Sequence, residues 1–157
     1  VLYELSLRRI DDGKPSPQRL LFPRVLELQQ DELEDFEKLL PHLQSMGFSI
    51  APFGPRAYQV EAVPSGVKIS DEVKLLKDIV DHYRENADSM TAHAEGAAAA
   101  FACHAAIKTG DELSPDEMIG LIEALFRTGS PYSCPHGRPT YIKIGLEELD
   151  RRFGRRK

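Results

Sequence analysis

Cys134 and His136 stand two positions apart in "SPYSCPHGRPTYIKIG" (130–145), fenced by Pro131, Pro135, Pro139 and Gly137. In extended backbone, residues i and i+2 point to the same side, so a thiolate and an imidazole at this spacing can reach one ion. Zinc favours that pair of ligand atoms. Cys103 in "FACHAA" is a third candidate donor, and three such ligands would leave a coordination position open for a carboxylate, a water or a phosphate oxygen. Bland readings stand beside these. Cys103 taken alone reads as a small buried hydrophobe, His104 as a solvated helix histidine, and the loop around Cys134 as a rigid turn. His93 and Glu95 form "HAE", the metal-histidine and shuttling-glutamate pattern of zinc deaminases, but the P-C-x-x-C partner of that signature is missing from "PYSCPHG".

Alternating elements must position these residues. "RLLFPRVLEL" (19–28) reads as a strand whose Pro23 places it at an edge or a start. "DELEDFEKLLPHLQSM" (31–46) carries Leu33, Phe36, Leu39, Leu40, Leu43 and Met46 on one helical face, with Asp31 as N-cap, a kink expected at Pro41 and Gly47 as stop. "FSIAPF" and "AYQVEAV" read as two strands joined by the turn "GPR". "SDEVKLLKDIVDHYREN" (70–86) reads as an amphipathic helix capped by Ser70, and the alanine-rich stretch 92–108 as a buried helix whose small side chains allow close packing. "SPDEMIGLIEALFRTG" has Ser114 at the N-cap, Pro115 at the first helical position and Glu117 three after the cap, a capping box. "TYIKIG" is read as a short strand and "LEELDRRF" as a last helical turn or two. The fold class is therefore α+β, with a β-α-β-β-α unit.

The chain has 157 residues, two cysteines and a formal net charge of −5. That length can bury a core, two cysteines make a disulfide framework implausible, and no apolar run is long enough to span a bilayer. A net negative surface repels nucleic acid, so DNA contact would need a local basic patch such as "RRFGRRK" (151–157). The opening "VLYEL" has neither a start methionine nor a leader pattern, and the chain reads as a piece of a longer protein.

"ACHAAIK" (102–108), "CPHGRPT" (134–140) and "FGR" (153–155), in that order and spacing, together with "GFSIAPFG" and "YQVEAVPSGV", resemble the C-terminal domain of the MutL mismatch-repair family, in its endonuclease-bearing branch. The resemblance covers essentially the whole chain. It implies a two-lobed α+β domain, with a regulatory lobe (19–86) inserted into a dimerisation lobe (1–18 and 87–157). It also implies metal ligands at Cys103, Cys134 and His136, with Zn2+ structural or regulatory and Mn2+ supporting DNA nicking, and it maps the family's F-x-R motif onto Phe153 and Arg155. "QRLLF" (18–22) resembles the family's sliding-clamp motif, which implies Gln18, Leu21 and Phe22 as clamp contacts. Without that resemblance, Leu20, Leu21 and Phe22 read as burying into their own sheet.

The family's main catalytic signature, D-Q-H-A-x-x-E-x-x-x-x-E, is matched only at its last glutamate, Glu4. A chain beginning there lacks the aspartate, histidine and first glutamate of the site, and is expected to be inactive as it stands, with the raw sheet edge left by the family's opening strands impairing dimerisation or promoting aggregation. Implied partners are a second copy, the sliding clamp, double-stranded DNA and, through the full-length protein with its N-terminal ATP-binding domain, a mismatch-recognition protein. The implied setting is the bacterial cytoplasm near the nucleoid, with no membrane. Arg138 is expected to position phosphate or brace its loop, and Arg151, Arg152, Arg155, Arg156 and Lys157 to track the DNA backbone or to form a solvated helix end. The alternatives are a non-catalytic dimerisation and clamp-binding module with structural zinc, and a zinc hydrolase of the deaminase kind.

Overall fold

The computed structural model describes residues 1–85, 93–134 and 137–154. Its order is α1 (Leu2–Asp12), β1 (Pro17–Glu27), α2 (Leu33–Met46), β2 (Ser49–Pro52), β3 (Ala57–Pro64), α3 (Glu72–Glu85), α4 (His93–Ala105), α5 (Pro115–Phe126) and α6 (Leu146–Arg152). The backbone separates into two compact units, Val1–Glu112 and Leu113–Lys157.

The first unit is built on the β-α-β-β-α pattern. Its sheet is antiparallel in the order β1-β3-β2, so the last strand lies in the middle and the other two are edges. The expected hairpin forms between β2 and β3, where the Phe53 amide donates to the Ala57 carbonyl at 2.8 Å. α2 lays Phe36, Leu39, Leu43 and Met46 into the core, α3 adds Leu76, Ile79 and Val80, and the sheet adds Leu26 and Val60, all with at most 1% exposure. Burying side chains of this size contributes about 1.5–3 kcal/mol each. The alanine helix α4 packs on α1, α2 and α3, and buries Gly96, Ala97, Ala98, Ala99, Ala100 and Phe101. Its missing side-chain bulk lets three helices approach one another.

Helix α1 was not expected from the sequence. The spacing of Leu2, Ser6 and Ile10 carries the signal: Ser6 is buried and Ile10 packs on the core, as a stripe repeating every four residues would place them. A clasp ties the end of α1 to the sheet. Arg9 donates to the Ser65 carbonyl at 3.2 Å and the Met46 carbonyl at 3.4 Å, and the Ser16 and Ser65 hydroxyls bond at 2.7 Å. Gly47 closes α2 with φ 115°, and a Cβ there would stand 3.0 Å from the Ser16 carbonyl oxygen. Both the backbone sign and the close approach require glycine.

Three expectations need correction. Asp31 is not the cap of α2; Glu32 is, while Asp31 pairs with Arg84 at 2.8 Å and joins the start of α2 to the end of α3. The Arg84 hydrogen bond holds the Asp31 carboxyl below its ordinary range. Asp71, rather than Ser70, serves α3, accepting from the Lys74 amide at 2.9 Å. "TYIKIG" forms no strand; the nearest pairing is an isolated bridge between Ser133 and Pro139.

The second unit differs in kind. α5 begins with the expected capping box, Ser114 and Glu117 each bonding the other's amide, yet none of its residues is buried. Met118, Ile119, Leu121, Ile122 and Phe126 are all at least 41% exposed.

Candidate functional sites

The most distinctive surface feature of the first unit is the "QRLLF" segment of β1. Gln18 pairs with Val63 and Arg19 with Ala62, but pairing resumes only at Arg24, opposite Val60. Four residues of β1, 20–23, therefore stand opposite the single Glu61 of β3. Pro23 has no amide to give the ladder, so the strand resolves the conflict as a bulge on an edge. Leu20 turns inward and packs on the core. Leu21 and Phe22 are left 94% and 79% exposed, so the simple reading in which all three apolar residues bury into their own sheet does not hold. Arg24 then ties the strand to α3 through Glu72 at 3.6 Å. An apolar pair held outward on an edge strand, beside an exposed Gln18, has the form of a peptide-like docking element.

The cysteine loop lies in the second unit. The Cys134 amide donates to the Arg138 carbonyl at 2.8 Å, its carbonyl accepts from the Gly137 amide at 2.9 Å, and the Thr140 amide donates to the Tyr132 carbonyl at 3.1 Å. The Thr140 hydroxyl also donates to the Pro131 carbonyl. Gly137 sits at φ 77°, where glycine costs least. Cys134 is thus pinned by its own backbone, and the residue is half-buried. His136 lies outside the described residues, as does Arg155 of the C-terminal motif. Cys103 is exposed on α4 in the first unit. Glu4 is on α1, paired with Arg8 at 3.6 Å. Phe153 caps α6 and is 76% exposed; Arg152 is paired with Glu148 at 2.7 Å. Thiolate and imidazole donors suit zinc, but no three His, Cys, Asp or Glu side chains among the described residues gather into a site for a metal ion. The described residues therefore do not build a metal cage by themselves.

A second polar group lies along α4, where His93 Nδ1 shares a hydrogen bond with the Tyr83 hydroxyl. His93 and Glu95 are two apart on one helix, about 200° around its axis, so they do not converge as a deaminase pair would. Burial, and then the charge of His93, lower the His42 pKa from its ordinary value. A depressed histidine stabilises the fold above the unfolded value of about 6.5, and that contribution is lost as pH falls below it. Thermal unfolding should therefore shift downward between about pH 8 and pH 5, with a smaller shift in His42→Gln; equal slopes in both chains would refute this assignment.

Residues 1–113 match the family model of the MutL C-terminal dimerisation domain. The chain belongs to the MutL family. It is 42% identical over 157 residues to the DNA mismatch repair protein MutL of Chlorobium chlorochromatii, covering 99% of this chain and 24% of that protein. The MutL of Chlorobium limicola is 42% identical over 156 residues, and that of Chlorobaculum tepidum 41%, each covering 99% of this chain and 25% of the relative. The chain thus spans about a quarter of the length of these MutL relatives. The family model ends within a residue of the boundary between the compact units, so the Cys134 loop and α5 fall beyond it but within the similarity to the relatives. Among the described residues, no helix is long and apolar enough to cross a membrane.

Proposed function

We propose that this chain is the part of a MutL mismatch-repair protein that dimerises and docks the DNA sliding clamp, and that the whole protein nicks double-stranded DNA in the bacterial cytoplasm. The observation that carries the docking is the outward pair Leu21 and Phe22 on the bulged edge of β1. A backbone already ordered in a strand has less conformational freedom to lose when its two apolar side chains enter a groove, and the nearby Gln18 supplies a polar anchor. The β1–α3 region acts as the regulatory lobe and the remainder as the dimerising lobe. The test is retention of this chain on immobilised clamp and its release by a peptide spanning residues 17–24. A peptide that fails to compete where a scrambled one also fails would overturn the docking assignment.

Nicking draws its support from the resemblance and from the chemistry of the donors. Cys103, Cys134 and His136 would hold a divalent ion, with Glu4 as a carboxylate of the same site. Such an ion supplies Lewis acidity and a water of lowered pKa. Zinc suits the thiolates, whereas manganese suits the oxygen ligands of phosphodiester hydrolysis.

A further inference from the structure

We propose that the cleft between the start of α3 and the end of α4 binds a phosphate group. The cleft has a volume of about 120 Å³ and is lined by Lys68, Lys74 and Lys108, with Ser70, Asp71, Asp78 and His104 between them. Three lysines from three separate parts of the chain line it: Lys68 from the β3–α3 loop, Lys74 from the first turn of α3, and Lys108 from just beyond α4. Two carboxylates share the lining with the lysines. Asp71 accepts from the Lys74 amide at 2.9 Å, and Asp78 lies 3.5 Å from His104 Nδ1. Neither Lys74 nor Lys108 has an ion-pair partner among the described residues.

In a chain whose net charge is −5, a concavity lined by three lysines and two aspartates runs against the overall field. With three lysines against two aspartates, the lining carries an excess of positive charge, which a tetrahedral oxyanion answers better than a cation, or than an apolar ligand that would leave the charged groups desolvated. Lysine acts as a point charge toward phosphate and demands no planar geometry, which fits three flexible stems around an open cleft. The Ser70 hydroxyl adds a donor. This site shares no residue with the β1 bulge or the cysteine loop, and its assignment does not rest on the clamp or nicking proposals.

The experiment is an amide-resolved NMR titration of this chain with inorganic phosphate, against sodium chloride at matched ionic strength. Saturable shifts at Ser70, Asp71 and Lys108 with phosphate alone, weakened at least 10-fold in Lys74→Gln/Lys108→Gln while the rest of the spectrum is unchanged, are expected. Identical shifts in both salts, or an unchanged response in the variant, would overturn the site. Lys68→Gln, in a loop, serves the same comparison if the double variant does not fold. A short blunt duplex that moves the same amides and is displaced by phosphate assigns the group to a DNA backbone. The slope of log affinity on log salt should then fall by about two in the double variant. A duplex that leaves those amides unmoved while phosphate binds assigns the site to free phosphate or a phosphomonoester.

Discussion

Replacing Leu21 and Phe22 together by aspartate is expected to weaken retention on the sliding clamp by at least about 100-fold while leaving thermal unfolding unchanged. The magnitude follows from losing burial of two large apolar side chains, about 1.5–3 kcal/mol each, against about 1.4 kcal/mol per tenfold in affinity. Unchanged stability follows from their exposure, 94% and 79%, since side chains already in water contribute little to the core. Leu20→Asp should do the reverse in part, because Leu20 packs on the core beneath the bulge, and its loss should lower the melting temperature. Surface plasmon resonance against the clamp, paired with thermal unfolding of each variant, separates the two effects. Clamp affinity untouched in the Leu21/Phe22 variant would leave the bulge without its proposed partner.

The second large effect concerns DNA cutting. In a full-length protein carrying this segment, changing Cys134 and His136 to alanine should abolish conversion of supercoiled plasmid to open circles in manganese, by about 100-fold or more, a loss on the scale of disabling a metal-ion catalyst. The structure makes this a clean comparison on the cysteine side. The two backbone bonds at Cys134, to Arg138 and Gly137, do not involve its sulfur, so alanine can keep the loop closed. A variant that nicks as fast as the parent, with an unchanged circular dichroism spectrum, would move catalysis elsewhere and favour a domain that only dimerises and docks.

Much of the first unit is legible in the sequence, because its elements bury one face each. The apolar stripes of α2 and α3, the Gly47 stop and the "GPR" turn all map onto local physical rules that the tertiary structure obeys. Caps were less legible. Asp31 and Ser70 are good cap residues by type, but Asp31 is drawn to Arg84, 53 positions away in sequence, and Asp71 stands one position nearer the helix than Ser70. The bulge was half legible: Pro23 announces an edge, but the pattern Leu-Leu-Phe cannot tell which side chains turn outward when the ladder slips. The lysine cleft was not legible at all, since its three lysines are dispersed over 41 positions and come to line one cleft only through the packing of α3 on α4. "TYIKIG" shows the opposite failure. Alternating apolar residues make a strand only where another strand offers its backbone, and among the described residues none does.

Helix α5 carries a consequence for how long the second unit survives in a cell. A protease or a remodelling machine acts on openings, and an opening is cheap where it exposes little that was hidden. α5 and α6 hide no side chain fully, whereas the first unit keeps Phe36, Leu76 and Phe101 within 1% of complete burial. The two units therefore do not share one lifetime: turnover of the chain should begin around residues 113–154 and leave the first unit as the durable remnant. Whatever comes to cover Met118, Ile119, Ile122 and Phe126 would then act as a timer, setting how long the Cys134 loop persists rather than how tightly it is folded.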